Sequence, residues 1–382
     1  MTRAAGSLLV LLALALAVPA IAVEPMRVAV GDGMRTVDVG AAETVTVVDG
    51  VARRALFGIP GGRTIRLTPV AGGQGLDVVW GAAPRDRRRL AMGAVRLETR
   101  RGPLAVGTRE YGGAVEIWRN GEALLTINEL PLEDYVAGTV RAEAPEKWPS
   151  DALRALAVVA RTYGVFHQQK NGSKPYHLVA GNQHQNYAGR VLDGPSWEAA
   201  RATAGQVLTW HGAIFPAFYH SDSGGFTEAA QSIFSGEGIP PLPGLRDEFS
   251  IDSPNYSWAV TLPLGVVAQR LRQSGVEVGD VAGLTVVERS PSFRVARLAV
   301  EHSRGTTTMK GTDFRRAVGY DVLKSTLFVP VVADGAVRFE GRGWGHGVGL
   351  SQFGAKGMAD RGYAYPQILT HYYPGATLAV LK

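Results

Sequence analysis

The chain has 382 residues, 46% of them hydrophobic, enough to bury the core of one large or two modest domains. It has no cysteine, which excludes disulfide staples, thiolate nucleophiles and cysteine metal ligands. The net charge of +6 suits a polyanionic neighbour such as a cell wall or membrane surface as well as it suits plain solubility, and no basic stripe with interleaved aromatics points to nucleic acid.

The start, MTRAAGSLLVLLALALAVPAIAVEP, sets Arg3 before an apolar run from Leu8 to Val18 and then Ala20-Ile21-Ala22. That is the order of a secretory signal peptide, with cleavage expected after Ala22 and export to the periplasm or cell envelope. The alternative is an uncleaved membrane anchor, although the run is about half of the roughly 20 residues a span needs. From Met26 to Trp118, short β-branched runs (TVTVV at 44–48, TIRL at 64–67, VEIW at 115–118) alternate with glycine pairs. They predict strands and turns, a small β-rich lobe over residues 23–110. The densest basic run, PRDRRRLAMGAVRLETRRG at 84–102, is expected to be a solvated strand face or loop.

LPLEDYVAGTVRAEAPEKW (130–148) predicts a helix. Pro131 suits its first turn, Glu133 and Asp134 suit its dipole, and Leu132, Val136 and Val140 recur every four residues. Pro145 disfavours continuation beyond Ala144. In WPSDALRALAVVARTYGVFHQQKNG (148–172), Ser150 reads as an N-cap and Asn171-Gly172 as a stop. The interior is apolar nearly all round, with Arg154 and Arg161 as its charges, so this helix is expected at the domain centre. Residues 195–345 mix short strands with a helix at 262–275 and a helix start at 310–319, and 351–378 predicts one or two closing helices. The expected class is α+β: a helical centre with mixed short strands around a cleft, in a domain over 111–382.

Three stretches carry chemistry. Glu143, near the end of an apolar helix, has small uncharged neighbours in Ala142, Ala144 and Pro145. Desolvation there would raise its pKa and let it donate a proton at neutral pH, while a surface or capping glutamate is the alternative. PAFYHSDSGGFTE (216–228) sets Ser221 and Ser223 before Gly224-Gly225, which fits a substrate loop, a plain turn, or a serine nucleophile with His220 or His346 as base. No G-x-S-x-G elbow supports the last. In GRGWGHGVGLSQFGA (341–355), dense glycine surrounds Trp344 and His346, as in a loop whose backbone must approach something closely.

These motifs carry a resemblance. Residues 111–166, NQHQNYAGR (182–190), ATAGQVL (202–208), FYHSDSGGFTE (218–228) and 341–378 together resemble the stage II sporulation protein D family, with its SpoIID/LytB-like domain. The resemblance implies an exported cell-wall protein of the lytic transglycosylase type, cutting peptidoglycan glycan strands and preferring strands stripped of stem peptides. It places the catalytic glutamate at Glu143 in RAEAP, with Ala144 where the family has methionine. Glu143 would protonate the oxygen between N-acetylmuramic acid and N-acetylglucosamine, then take the proton of the muramic 6-hydroxyl as an anhydro ring closes. One carboxyl suffices for that, and Asp222 and Glu228 are the only others near the motif residues. His346 is expected as a hydrogen-bond or proton-shuttle partner, with a backbone-bonded structural histidine as the alternative. Tyr163, Ser221, Ser223, Gly224, Gly225, Trp344, Gly345 and Gln352 are expected to bind substrate, with glycine amides reaching sugar hydroxyls. Some members hold zinc through a histidine and two cysteines; here only His177 and His184 remain, too few for a closed site, so no metal and no cofactor are expected. A non-catalytic activator of a cell-wall amidase stays open beside the enzyme.

Overall fold

Strand Met26–Met34 pairs antiparallel with Ala123–Leu130, and this pair seeds a seven-stranded sheet. Its order is Leu178–Val179, Met26–Met34, Ala123–Leu130, Ala114–Asn120, Ala94–Glu98, Val45–Asp49, Ala55–Ile59. The structure, a computed structural model, describes residues 24–234 and 238–381; the expected signal segment at 1–22 lies outside the described residues. A six-stranded sheet runs Arg109–Tyr111, Leu104–Val106, Val37–Ala41, Arg63–Pro69, Leu76–Val79, Arg87–Leu90. Alternation puts Ile65, Leu67, Val47, Val95 and Ile117 inward, where they share one core with Tyr135, Val136, Leu153 and Leu156 of the helices. The leading lobe's sheet therefore crosses residue 110 and continues to Leu130. In the basic run, Arg87–Leu90 is a largely exposed strand, and Arg89 pairs with Asp77 at 2.8 Å.

Helix Leu132–Glu143 ends where predicted: Ala144 is extended, and Pro145 follows. Helix Ser150–Asn171 begins one residue before the expected position. Ser150 is its first residue rather than its cap, because Pro149 takes the extended capping conformation and its carbonyl accepts from Ala152 and Leu153. The helix is central, as its composition predicts. Arg161 within it is fully buried and donates to Glu133 Oε1 at 3.0 Å and to the Ala200 and Gln206 carbonyls. The chain closes with two helices, Gln352–Asp360 and Tyr365–Tyr372. Leu369, Tyr372 and Met358 pack on Ala155, Val158 and Val159 of the central helix.

Between these parts lies an inserted unit with its own core. Strands Trp258–Pro263, Ala336–Gly341 and Phe328–Ala333 form one sheet; Val281–Arg289, Val295–His302 and Gly305–Lys310 form another. Helices Leu264–Gln273 and Gly311–Val318 cover them, and Val267, Leu271, Leu298, Phe314, Phe328 and Phe339 fill the interior.

Candidate active site

Glu143 is the last residue of its helix, so its side chain leaves the core where the helix stops. One turn earlier stands Gly138. A Cβ there would lie 2.5 Å from the Tyr187 ring and 2.6 Å from the Gly189 carbonyl oxygen. The bare helix face lets segment 182–190 lie against it, with Ala188 N donating to the Gly138 carbonyl at 3.0 Å. The same segment delivers Asn186 N to Glu143 Oε1 at 2.7 Å. Gln352, the first residue of the Gln352–Asp360 helix, donates Nε2 to Glu143 Oε2 at 3.1 Å. The Tyr219 hydroxyl also bonds to the carboxyl; it accepts from Gln185 Nε2 at 3.0 Å, and Gln185 Oε1 accepts from Tyr135 OH. A relay of Tyr135, Gln185 and Tyr219 thus returns to the helix that carries Glu143. Burial raises the Glu143 pKa above its ordinary 4.5, against the opposing pull of these hydrogen bonds.

Glu143 opens onto a cavity of about 1360 Å³ shared between the motif segments and the inserted unit. Tyr163, Ser221, Trp344, Gly345, His346 and Gln352 line it too. Trp344 keeps 36% of its surface exposed, and the Lys324 ammonium lies 5.2 Å from its ring centre. Tyr163 is nearly buried, and burial pushes its hydroxyl up to about 12.

Other expected site residues do not reach the cavity. Ser223 is fully buried; its hydroxyl pairs with Ser250 Oγ at 2.9 Å and accepts from Gly225 N at 3.1 Å. No histidine activates it in this bonding. Gly224 N donates to Asp222 Oδ1 at 2.8 Å. Backbone groups of 341–349 bond to the 218–228 loop. Trp344 and Asp222 exchange two backbone hydrogen bonds of 2.9 and 3.0 Å, and Glu228 N donates to the Gly347 carbonyl at 2.8 Å. Tyr219–His220 pairs in parallel with Leu350–Ser351. At Gly349, with φ +74°, a Cβ would lie 1.9 Å from the Phe218 carbonyl oxygen. The two loops therefore interlock backbone to backbone, with the Asp222, Glu228, Trp344 and Leu350 amides donating across. The Gly345 amide, likewise, goes to the Lys324 carbonyl at 2.9 Å.

His346 lines the cavity with Nδ1 committed to backbone. Nδ1 accepts from Val348 N at 3.0 Å, and a backbone hydrogen bond joins the ring to Tyr219. Burial, then the nearby Arg315 and Arg294, push its pKa down to about 3, so it stays neutral at physiological pH. The Nδ1 bond is that of the backbone-bonded alternative.

The zinc set does not fit this chain. His177 Nδ1 accepts from Arg27 N at 3.1 Å and His184 Nδ1 from Val179 N at 3.3 Å. In each neutral ring the proton then sits on Nε2, which leaves no lone pair for a metal. Among the described residues no group of three histidine, aspartate or glutamate side chains is placed to hold one.

Sequence reasoning finds Glu143 and Gln352 but not Asn186, Gln185 or Tyr219. All three lie in the quoted motifs, yet nothing in residue type marks which backbone amide or hydroxyl turns toward the carboxyl. The family model described as stage II sporulation protein matches residues 120–210, and a domain of unknown function matches 245–349, spanning the inserted unit. Stage II sporulation protein D of Bacillus amyloliquefaciens is 30% identical over 272 residues, 66% of this chain and 76% of that protein. An uncharacterized protein of Brachyspira hyodysenteriae is 28% identical over 285 residues, 74% of this chain and 75% of its own length. The amidase enhancer of Bacillus subtilis is 30% identical over 289 residues, covering 63% of this chain and 40% of that protein. With the motifs, the helix-end glutamate and these likenesses together, the chain belongs to the stage II sporulation protein D family.

Proposed function

We propose that this protein cleaves peptidoglycan glycan strands as a lytic transglycosylase, with Glu143 as general acid and then general base. The observation that carries the proposal is a desolvated carboxyl at the cavity, held by Asn186 and Gln352. Glu228 also reaches the cavity, but its Oε1 accepts from Ala229 N, and its Oε2 from Ser290 and Ser292. Asp313 pairs with Arg316 at 2.9 Å, and Asp321 belongs to the inserted unit. Asp222 is buried away from the cavity. Hydrolysis by a carboxylate pair needs a second carboxyl within about 5–9 Å, placed to activate water or attack the sugar. Ring closure needs one.

The steps balance without water. The Glu143 proton goes to the glycosidic oxygen as the muramic C1–O bond breaks, releasing the 4-hydroxyl of N-acetylglucosamine. The muramic 6-hydroxyl attacks C1, its proton returns to Glu143, and the 1,6-anhydro ring closes. Asn186 N and Gln352 Nε2 hold the carboxylate between the two transfers. Residues 1–22, with their signal-like order, support an exported protein that meets this substrate outside the cytoplasm.

The similarity to a protein named amidase enhancer supports a second reading, a non-catalytic activator of a cell-wall amidase. One experiment separates the two. Purified protein and its Glu143→Gln variant are incubated with stem-peptide-free glycan strands, and products are weighed by mass spectrometry. Fragments one water lighter than hydrolysis products are expected, with a rate loss of about 10²–10⁴-fold in the variant. Fragments carrying an added water would replace the transglycosylase with a hydrolase. No fragments from either protein would favour the activator.

A further inference from the structure

The cavity wall formed by the inserted unit is cationic in a way the fold does not require. Arg297 and Lys310 both reach the cavity, both are exposed, and they stand directly opposite each other on antiparallel strands Val295–His302 and Gly305–Lys310. Like charges in that register repel and weaken the pairing. Glu288 is Arg297's register partner on the other side, yet among the described residues no ion pair joins either cation to a carboxylate. Behind them Arg294 is 1% exposed, and its Nε and Nη1 have no hydrogen-bond partner. Its Nη2 donates to the Ser223 and Phe226 carbonyls, and burial lowers its pKa to about 10 against the opposing pull of Glu228 and Asp222, which leaves it charged at neutral pH. Arg315, also at the cavity, donates to the Leu323 and Lys324 carbonyls rather than to an acid.

A neutral glycan offers such a wall hydroxyl and acetamido acceptors but no charge to neutralise it. We propose that Arg297 and Lys310, backed by Arg294, form an anion subsite for the lactyl carboxylate of a muramic acid residue in the strand that Glu143 cuts. This rests on the glycan-strand reading above. The carboxylate is free only where the stem peptide has been removed; with a peptide attached it becomes an amide, and the remaining carboxylates move outward along the peptide. The inserted unit would then read the state of the substrate while the rest of the domain cuts it.

The test measures binding, not cleavage, in the Glu143→Gln background, by calorimetry at low salt. The probes are a tetrasaccharide alternating N-acetylglucosamine and N-acetylmuramic acid, its stem-peptide-bearing form, and chitotetraose, which has the same backbone without the lactyl group. The free muramoyl tetrasaccharide is expected to bind about five- to tenfold tighter than chitotetraose, the scale of two partly solvated charge pairs. Arg297→Gln with Lys310→Gln should erase that margin and leave chitotetraose affinity unchanged. Equal binding of both sugars by the parent, or a margin that survives the double variant, overturns the subsite and leaves the glycan reading standing. A peptide-bearing form that binds as tightly as the free one, and weakens equally in the variant, assigns the anion to the peptide and overturns the lactyl assignment. Failure to bind any of the three removes the glycan reading itself, and the subsite with it.

Discussion

Glu143 is a carboxyl that the fold makes more basic. An acid whose folded pKa lies above its unfolded value holds its proton more tightly when folded, so stability is full below about 4.5 and falls as pH rises through the folded pKa. Glu143→Gln removes a group that costs stability when ionised and keeps an oxygen for Asn186 N. The variant is expected to melt higher than the parent at pH 7–8, with the gap closing below pH 4.5; equal gaps at both pH values would mean that the carboxyl is not desolvated. Tyr219 pulls the other way, since its hydroxyl bond favours the carboxylate. Tyr219→Phe should therefore raise the Glu143 pKa further and carry the alkaline limb of the pH–rate profile to higher pH, because the proposed reaction starts from the protonated acid. A limb that stays in place would assign it to another group. The glutamate itself was legible, because small apolar neighbours and a proline stop say that the helix ends and the carboxyl is poorly solvated. Asn186, Gln185 and Tyr219 were not, because a backbone amide and a hydroxyl relay depend on where segments 182–190 and 218–228 lie against the helix.

At the scale of elements, the two interlocked loops, 218–228 and 341–351, are what hold Ser221, Trp344 and Gln352 around the cavity. Their glycines are legible as dense, but not as to what they approach. The sequence suggests a ligand; the structure supplies the neighbouring loop. Gly349 and Gly335 make a matched pair, since both have φ +74°. Gly335 has nothing within 4 Å of an added Cβ, whereas at Gly349 the Cβ would meet the Phe218 carbonyl oxygen. Gly335→Ala should cost only the left-handed backbone term, about 1 kcal/mol. Gly349→Ala should cost at least about 2 kcal/mol more, because backbone must shift, and should reduce cleavage by moving Tyr219 away from Glu143. Thermal melts with the cleavage assay check both. Similar melting losses for the two variants would show that the loops do not press on each other as described. Helices were the most legible elements, since Leu132, Val136 and Val140 recur on one buried face and Pro145 sets the stop. The inserted unit was legible as strands and two helices but not as a separate core, because Leu298, Phe314 and Phe339 come together only through pairing of segments far apart in the chain.

The whole molecule raises the question of what the leading β-rich region is for. The expected boundary at residue 110 is where the family motifs begin, although the glycine-punctuated strand pattern runs on to Trp118 before the helix expected in 130–148. Hydrogen bonding does not follow it. Met26–Met34 lies between Ala123–Leu130 and Leu178–Val179 in one sheet, and Met26 and Val28 are fully buried in the core that also holds Tyr135 and Leu156. Met26 Cε lies 3.5 Å from where a Cβ on Gly164 of the central helix would be. Glu116 on Ala114–Asn120 is fully buried, and Arg27 and Arg53, both from the leading region, each contact it at 2.6 Å. Arg96, 3.4 Å from Glu116, also precedes residue 111, so removing the leading region would leave that carboxylate without three cations; breaking a buried pair costs about 3–5 kcal/mol, a large share of a domain's net stability of about 5–15 kcal/mol. It would also strip one edge of Ala123–Leu130 and expose the apolar face beneath. A fragment beginning at residue 111 is therefore expected to lack a cooperative melt and to be digested rapidly by trypsin, while the chain from residue 23 resists it. A 111–382 fragment that melts sharply and cleaves glycan strands at the parent rate would show that the region before it is a separable appendage. The pairing of Met26–Met34 with Ala123–Leu130, the strand that leads into Glu143's helix, predicts the opposite: Met26–Met34 is part of the scaffold that holds Glu143.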